Sequence, residues 1–389
     1  MDFGLYLHLP YCRSLCPYCA FAKAPLHRAE PERLLQALAR EWDLAKGEAP
    51  GPWRRGRPRT VYFGGGTPTA LDAETLRSLL DWLHASFDLS NVREWTAEAN
   101  PEGLTLEKLQ ALRAAGVDRL SLGVQSLEPA ALRALGRIHT APAALDSLAL
   151  ARSVGFRSIS VDLMTAVPGE TAEGFRRGVE AMVDLGVPHL SVYSLQVEDG
   201  TPLHAKVARG AVLAPGDEIA AARYETVAEI TGAAGYLHYE VSNFALPGHE
   251  SRHNQGYWGR RPYLALGPGG HSFDGERRWG NEENVTRYFE CLERGELPRR
   301  DVTRVGPDDA IAETVMLGLR RSRGLRLGSL ARLAPGAVAE WRRWAGAAGA
   351  LAAGPPGRAR PSERGLLTAH EVAAELLIRI ETERRGRAA

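Results

Sequence analysis

Six apolar runs that read as strands alternate with stretches of helical period, and this alternation limits the fold more than any other feature. The strand-like runs are Gly4–Leu9, Thr60–Phe63, Glu94–Ala97, Arg119–Leu122, Ser158–Leu163 and His189–Leu195. Between them stand Glu32–Lys46, Ala73–Ser86, Leu106–Ala115, Ala141–Val154 and Glu173–Leu185, whose apolar residues recur at helical spacing. Parallel strands need crossover connections, and helices supply them. The chain is therefore expected to fold as an α/β protein built on an open, partial (β/α)6 barrel. Active sites of such folds lie outside the carboxyl ends of the strands.

At 389 residues the chain exceeds a single hydrophobic core, so a smaller second domain is expected. After Val197 the pattern changes. A turn at Glu198–Pro202 precedes a long helix over Pro215–Ala234, then a strand over Tyr236–Phe244. An irregular, Gly-rich and aromatic segment follows from His249 to Gly280. From about Pro307 the chain reads as mainly helical, broken by a loop or wing tip at Gly354–Pro361. The expected division is a core over 1–235, a covering segment over 236–300 and a helical domain over 301–389.

Three of the four cysteines fall within eight residues, as Cys12-Arg-Ser-Leu-Cys16-Pro-Tyr-Cys19. Four-iron clusters usually take four cysteine ligands, so three thiolates leave one iron open to chelate a small molecule. Structural zinc sites favour paired C-x2-C units, and no second pair stands nearby. A disulfide framework wants an even count in a short secreted chain. The fourth cysteine, Cys291, sits in an amphipathic stretch and reads as a packing thiol. Gly64-Gly65-Gly66-Thr67-Pro68 follows the second strand, where glycines allow a ligand to approach the backbone closely.

The C-x3-C-x2-C spacing, with an aromatic before the third cysteine, resembles the radical S-adenosylmethionine (SAM) superfamily. Further motifs resemble its anaerobic coproporphyrinogen III oxidase-like branch. What the resemblance implies is a 4Fe–4S cluster on Cys12, Cys16 and Cys19, and SAM held by Tyr6, Tyr18, Gly65, Gly66, Thr67, Glu98, Gln125, Arg137 and Asp162. It also implies reduction of the cluster by an electron donor and cleavage of SAM to a 5′-deoxyadenosyl radical. Each role has a physical reason: carboxylates accept bonds from an ammonium or ribose hydroxyls, and Arg137 can pair with a carboxylate. The oxidase itself carries a fourth cysteine two residues after the third, where Phe21 stands here, and an N-terminal extension that is not expected in this chain. Porphyrinogen decarboxylation is therefore not expected.

His253-Asn254-Gln255-Gly256-Tyr257-Trp258 resembles the H-N-x-x-Y-W signature of the HemW family of heme chaperones. The resemblance implies heme as a further ligand, with His253, Tyr257 and Trp258 in contact and His253 on the iron. Imidazole ligates heme iron, and aromatic rings flank the macrocycle. His271, after Gly267-Pro-Gly-Gly270, competes for the ligand role. The same residues could instead pack a loop. Three readings follow: a heme chaperone serving heme-accepting proteins, respiratory enzymes at the membrane among them; an oxidase-like or methyl-transferring enzyme; or a heme-binding protein whose cluster is structural.

Composition narrows the setting. With 48 basic and 47 acidic residues the net charge is +1, so no global field recruits nucleic acid. The opening Met1-Asp2-Phe3-Gly4 lacks the charged and apolar regions of a secretory leader, and no run of about 18 apolar residues occurs. A cysteine-ligated cluster favours a reducing compartment, so a cytoplasmic protein is expected.

Overall fold

The computed structural model describes residues 2–48, 51–213, 216–355 and 357–388. All six expected strands form: β1 Phe3–Leu9, β2 Pro58–Gly65, β3 Glu94–Ala99, β4 Arg119–Gln125, β5 Ser158–Thr165 and β6 His189–Ser194. They pair in parallel, each beside the next in chain order. The crossover helices are α1 Pro31–Gly47, α2 Ala73–Ser86, α3 Leu106–Ala114, α4 Ala141–Val154 and α5 Ala172–Asp184.

Local chemistry sets these boundaries. Asp72 caps α2 by accepting the Thr75 N–H at 2.7 Å, and Thr140 and Thr171 cap α4 and α5 in the same way. Gly155 ends α4 in the left-handed region, where a side chain would be strained. Along β1, Phe3, Leu5, Leu7 and Leu9 are buried in the main core with Leu34, Leu38 and Trp42 of α1. Alternation sends Gly4, Tyr6 and His8 to the opposite face. That inner face carries the polar residues discussed below.

Two expectations need correction. Tyr236–Phe244 is not one strand but a hairpin of β7 Leu237–Glu240 and β8 Asn243–Ala245, preceded by α6 Asp217–Ala233. Pro215, expected to begin that helix, lies outside the described residues. The segment from His249 to Gly280 is not irregular. It forms the short helix α7 Arg252–Trp258 and the strands β9 Tyr263–Leu266, β10 His271–Phe273 and β11 Arg277–Asn281. β9 pairs in parallel with β1, and β10, β11 and β12 Arg299–Arg304 extend antiparallel from it. The twelve-stranded sheet runs β12-β11-β10-β9-β1-β2-β3-β4-β5-β6-β8-β7. Strands this short, punctuated by glycine, carry too few residues to show a period of two.

Helix α8 Val285–Glu293 follows β11 and packs against α1. Beyond β12 a second hydrophobic core gathers Val315, Leu319, Trp341, Val372 and Leu376. The expected helical region also carries a three-stranded antiparallel sheet, one strand of which, Arg358–Pro361, runs through the expected wing tip.

Candidate functional site

The strand ends meet first at the glycine turn. Gly65, at the end of β2, has φ +103°, and a Cβ there would come within 2.6 Å of the His8 ring. At Gly66 a Cβ would stand 2.6 Å from the Pro10 carbonyl carbon, which is backbone and cannot yield. The Gly66 and Thr67 N–H groups donate to Leu9 and Tyr11 carbonyls at 2.8 and 2.9 Å. The glycine turn is thus laid flush on the chain leading to Cys12. Thr67 completes the link: its hydroxyl donates toward Cys12 Sγ at 3.7 Å and accepts from Asn100 Nδ2 at 2.9 Å.

β4 ends differently. Its register against β5 shifts between Gly123 and Gln125, and Gln125 has φ +69°, an unusual backbone for a residue with a Cβ. Such irregularities re-aim side chains at sheet ends, and the strain must be held by the surrounding fold. Arg137 is pinned beside this bend. Its Nη2 donates to Asn100 Oδ1 at 2.7 Å and to the Gly123 carbonyl at 2.8 Å, and its Nη1 approaches Cys16 Sγ at 3.6 Å. Glu102 lies 3.6 Å from the same guanidinium and 3.1 Å from His139. Burial opposes charge on Arg137, but Glu102 and the Cys16 sulfur outweigh it and hold the guanidinium protonated.

These ends enclose a cavity of about 460 Å³. Cys12, Cys16, Cys19, Tyr18, Gly65, Gly66, Thr67, Glu98, Gln125, Arg137 and Asp162 all line it. Tyr6 does not. Its ring stacks on Tyr62, 6.0 Å between centroids, and lines a neighbouring cavity instead. Cys291 lies apart on α8. Sequence reasoning missed Tyr62, Asn100 and Tyr193, which line the cavity too. Asn100 could have been found, since it shares the Glu98-Ala-Asn100-Pro101 strand end. Tyr62 could have been found from alternation with Tyr6 on the inner face.

Two buried acids face the cavity. Burial, with Asp162 nearby, pushes the Glu98 carboxyl up to about 7 although the Tyr62 hydroxyl donates to it at 2.8 Å. Burial also raises Asp162, against hydrogen bonds from serines including Ser121 at 3.1 Å. Cys12 is pushed up to about 11 by burial, so without a metal its thiol stays protonated. Among the described residues no three His, Cys, Asp or Glu side chains converge on a single-ion position. The three thiols all line the one cavity, and three cysteines with no fourth protein ligand beside them fit a four-iron cluster with one open iron better than a closed structural zinc site. Two buried acids, a backbone cradle and one fixed guanidinium likewise fit a ligand with an ammonium, a carboxylate and hydroxyls.

The H-N-x-x-Y-W segment sits at the opposite end of the strands. Glu94, the first residue of β3, accepts the Arg252 and His253 N–H groups, both at 2.9 Å, and so docks α7 under the sheet. His253 is 2% exposed. Its Nδ1 lies 2.8 Å from Thr60 Oγ1 and its Nε2 2.7 Å from the Tyr257 hydroxyl. Burial lowers its pKa to about 3, so the ring is neutral. A Cβ on Gly4 would come within 3.2 Å of it, so β1 makes room for this imidazole. Ligation of iron by His253 would require one of its hydrogen bonds to break. Trp258 turns toward the C-terminal region, where Arg320 lies 5.7 Å above its ring.

Comparison with known proteins agrees with this arrangement. The Radical SAM superfamily model matches residues 6–182. A Mycobacterium tuberculosis protein named heme chaperone HemW is 41% identical over 84% of this chain and 84% of its own length. This chain belongs to the HemW family. The Bacillus subtilis protein of that name is 37% identical over 82% of this chain and 84% of its own. In fold, the chain resembles the radical SAM enzyme coproporphyrinogen III oxidase (HemN) from Escherichia coli, with a TM-score of 0.81 at 22% identity. That match covers 96% of this chain and 90% of the other. It establishes the α/β radical SAM fold. Membership of this superfamily implies a 4Fe–4S cluster and SAM. No helix among the described residues is long and apolar enough to cross a membrane.

Proposed function

We propose that this chain is a heme chaperone, binding heme and passing it to acceptor proteins, with a 4Fe–4S cluster on Cys12, Cys16 and Cys19. The observation that carries the cofactor half is one cavity lined by all three thiols together with the buried acids and Arg137. The heme half rests on the family, whose members at 41% and 37% identity are named heme chaperones. Respiratory enzymes are the proposed acceptors and the cytoplasm the proposed setting.

Each residue has a defined task. Gly65, Gly66 and Thr67 let a ligand approach the backbone closely beside Cys12, and Glu98 and Asp162 receive the ammonium and ribose hydroxyls of SAM. Arg137, fixed by Asn100 and Glu102, neutralises charge next to Cys16. Gln125 and Tyr18 complete the lining of the cavity. SAM bound to a reduced cluster supplies one-electron chemistry, and the protein contributes orientation and exclusion of water.

The test is anaerobic reconstitution followed by three parallel assays: heme binding, heme transfer to an apo-heme protein, and conversion of coproporphyrinogen III. Heme binding and transfer without porphyrinogen oxidation are expected. Robust protoporphyrinogen formation would instead make the chain an oxidase.

A further inference from the structure

Beside the cluster cavity lies a second one, of about 330 Å³, and the two share a wall. Ala20 and Phe21, just after Cys19, line both. Phe21 is 70% exposed, unusual for so large an apolar ring. The far side is formed by Tyr257, Tyr263 and His271. The Gly267–Gly270 turn holds this side against the cysteine loop: Gly269, at φ +71°, would place a Cβ 2.4 Å from that of Ala22. Gly280, directly across the strand pair from His271, leaves open the space beside its ring, because a Cβ there would stand 3.1 Å from the imidazole.

His8 and His271 line this cavity, His253 sits behind Tyr257, and the three differ in what they can offer. His8 is buried, with Nε2 bonded to the Ala22 carbonyl at 2.7 Å. His253 is buried, with both nitrogens engaged. His271 is exposed and opens onto the cavity. An exposed imidazole that shares a cavity with an exposed phenylalanine and two tyrosines supplies an iron ligand and aromatic faces for a planar iron macrocycle.

We propose that this cavity is the heme site and that His271, not His253, ligates the iron, with Phe21 and Tyr263 stacked against the porphyrin. The inference rests on the chaperone reading and assigns its ligand a place. The cargo then lies one loop away from the cluster. His253 acts only as a positioning residue, holding Tyr257 in the cavity wall.

The experiment titrates hemin and metal-free protoporphyrin IX into the cluster-reconstituted protein, following absorbance and iron content. His271→Ala should lower hemin affinity at least tenfold and change the heme absorption spectrum. Metal-free protoporphyrin should bind that variant as it binds the wild type, and added imidazole should restore the wild-type heme spectrum. Phe21→Ala should weaken both porphyrins. If wild-type protein binds hemin and His271→Ala binds it with the same affinity and spectrum, the site is wrong and the chaperone reading survives. If wild-type protein binds no hemin, both fail.

Discussion

The two ends of the same strands use polar residues in opposite ways. At the carboxyl ends, Glu98, Asp162, Gln125 and Arg137 surround a cavity of about 460 Å³. At the amino ends, His253 bonds to Glu94, Thr60 and Tyr257, and only a cavity of about 20 Å³ lies beside them. Thr60 and Gly65 lie five residues apart on β2, about 16 Å at the rise of an extended strand. One end is built to be completed from outside and the other is already complete. A buried polar group satisfied within the fold stabilises it, whereas one left facing a cavity reports on a ligand.

The largest expected effect tests the open end. Replacing Cys12, Cys16 or Cys19 with alanine should abolish the reconstituted cluster, measured as iron content and visible absorbance. Cys291→Ser should change neither. Equal iron loss from Cys291→Ser would mean that the cavity does not hold the cluster alone.

At the closed end the expected loss is of stability. His253→Ala strands the Thr60 and Tyr257 hydroxyls and leaves a void, at a cost of about 2–4 kcal/mol, while cluster content stays intact once the protein is folded. Acidity gives an independent check. The folded-state pKa of His253 is about 3, against about 6.5 for an unfolded histidine. Above pH 6.5 both states are neutral and the ring has no pH-linked effect. Below it the unfolded state takes the proton, so stability falls between about 6.5 and 3. His8, lowered to about 4 by burial, acts in the same direction. Denaturant titrations of wild type and His253→Gln across that window should therefore converge as the pH falls. Parallel curves would show that His253 is not buried neutral.

Much of this contrast was legible in the sequence. All six apolar runs form the expected strands. The acids and Arg137 were named from a family resemblance, and with the glycine turn they line one cavity. Two matters were not legible. A His with aromatic neighbours reads the same whether it packs or ligates, since burial by Glu94, Thr60 and Gly4 is a long-range property. Tyr6 shares the inner face with Tyr62, but which of two adjoining cavities it lines depends on the parallel addition of β9 beside β1. That pairing joins residues some 260 positions apart and leaves no local trace.

Glu98 sharpens the comparison further. Its carboxyl is held up to about 7 by burial and by Asp162. It is thus ionised only above that value, when it can pair with the SAM ammonium. SAM affinity should fall as pH drops through about 7, and Glu98→Gln should bind at least tenfold more weakly, a loss of about 1.5–3 kcal/mol, without that pH dependence. Calorimetry at pH 6 and pH 8 measures both. Unchanged affinity in the variant would move the ammonium elsewhere in the cavity.

The smallest effect is expected at the one residue that belongs to both regions. The Tyr257 hydroxyl completes the hydrogen bonding of His253, while its ring lines the cavity that also contains His271. Tyr257→Phe removes only the hydroxyl and leaves His253 Nε2 without its partner. Because that bond is short and half-buried, stability should drop by about 1–2 kcal/mol. Hemin affinity should stay within about twofold, because the aromatic surface facing the cavity is retained. Tyr257→Ala should lose both, weakening hemin binding as well as the fold. If Tyr257→Phe instead lowered hemin affinity tenfold while leaving stability untouched, the phenol would be a ligand contact. The amino ends of the strands would then belong to the functional site.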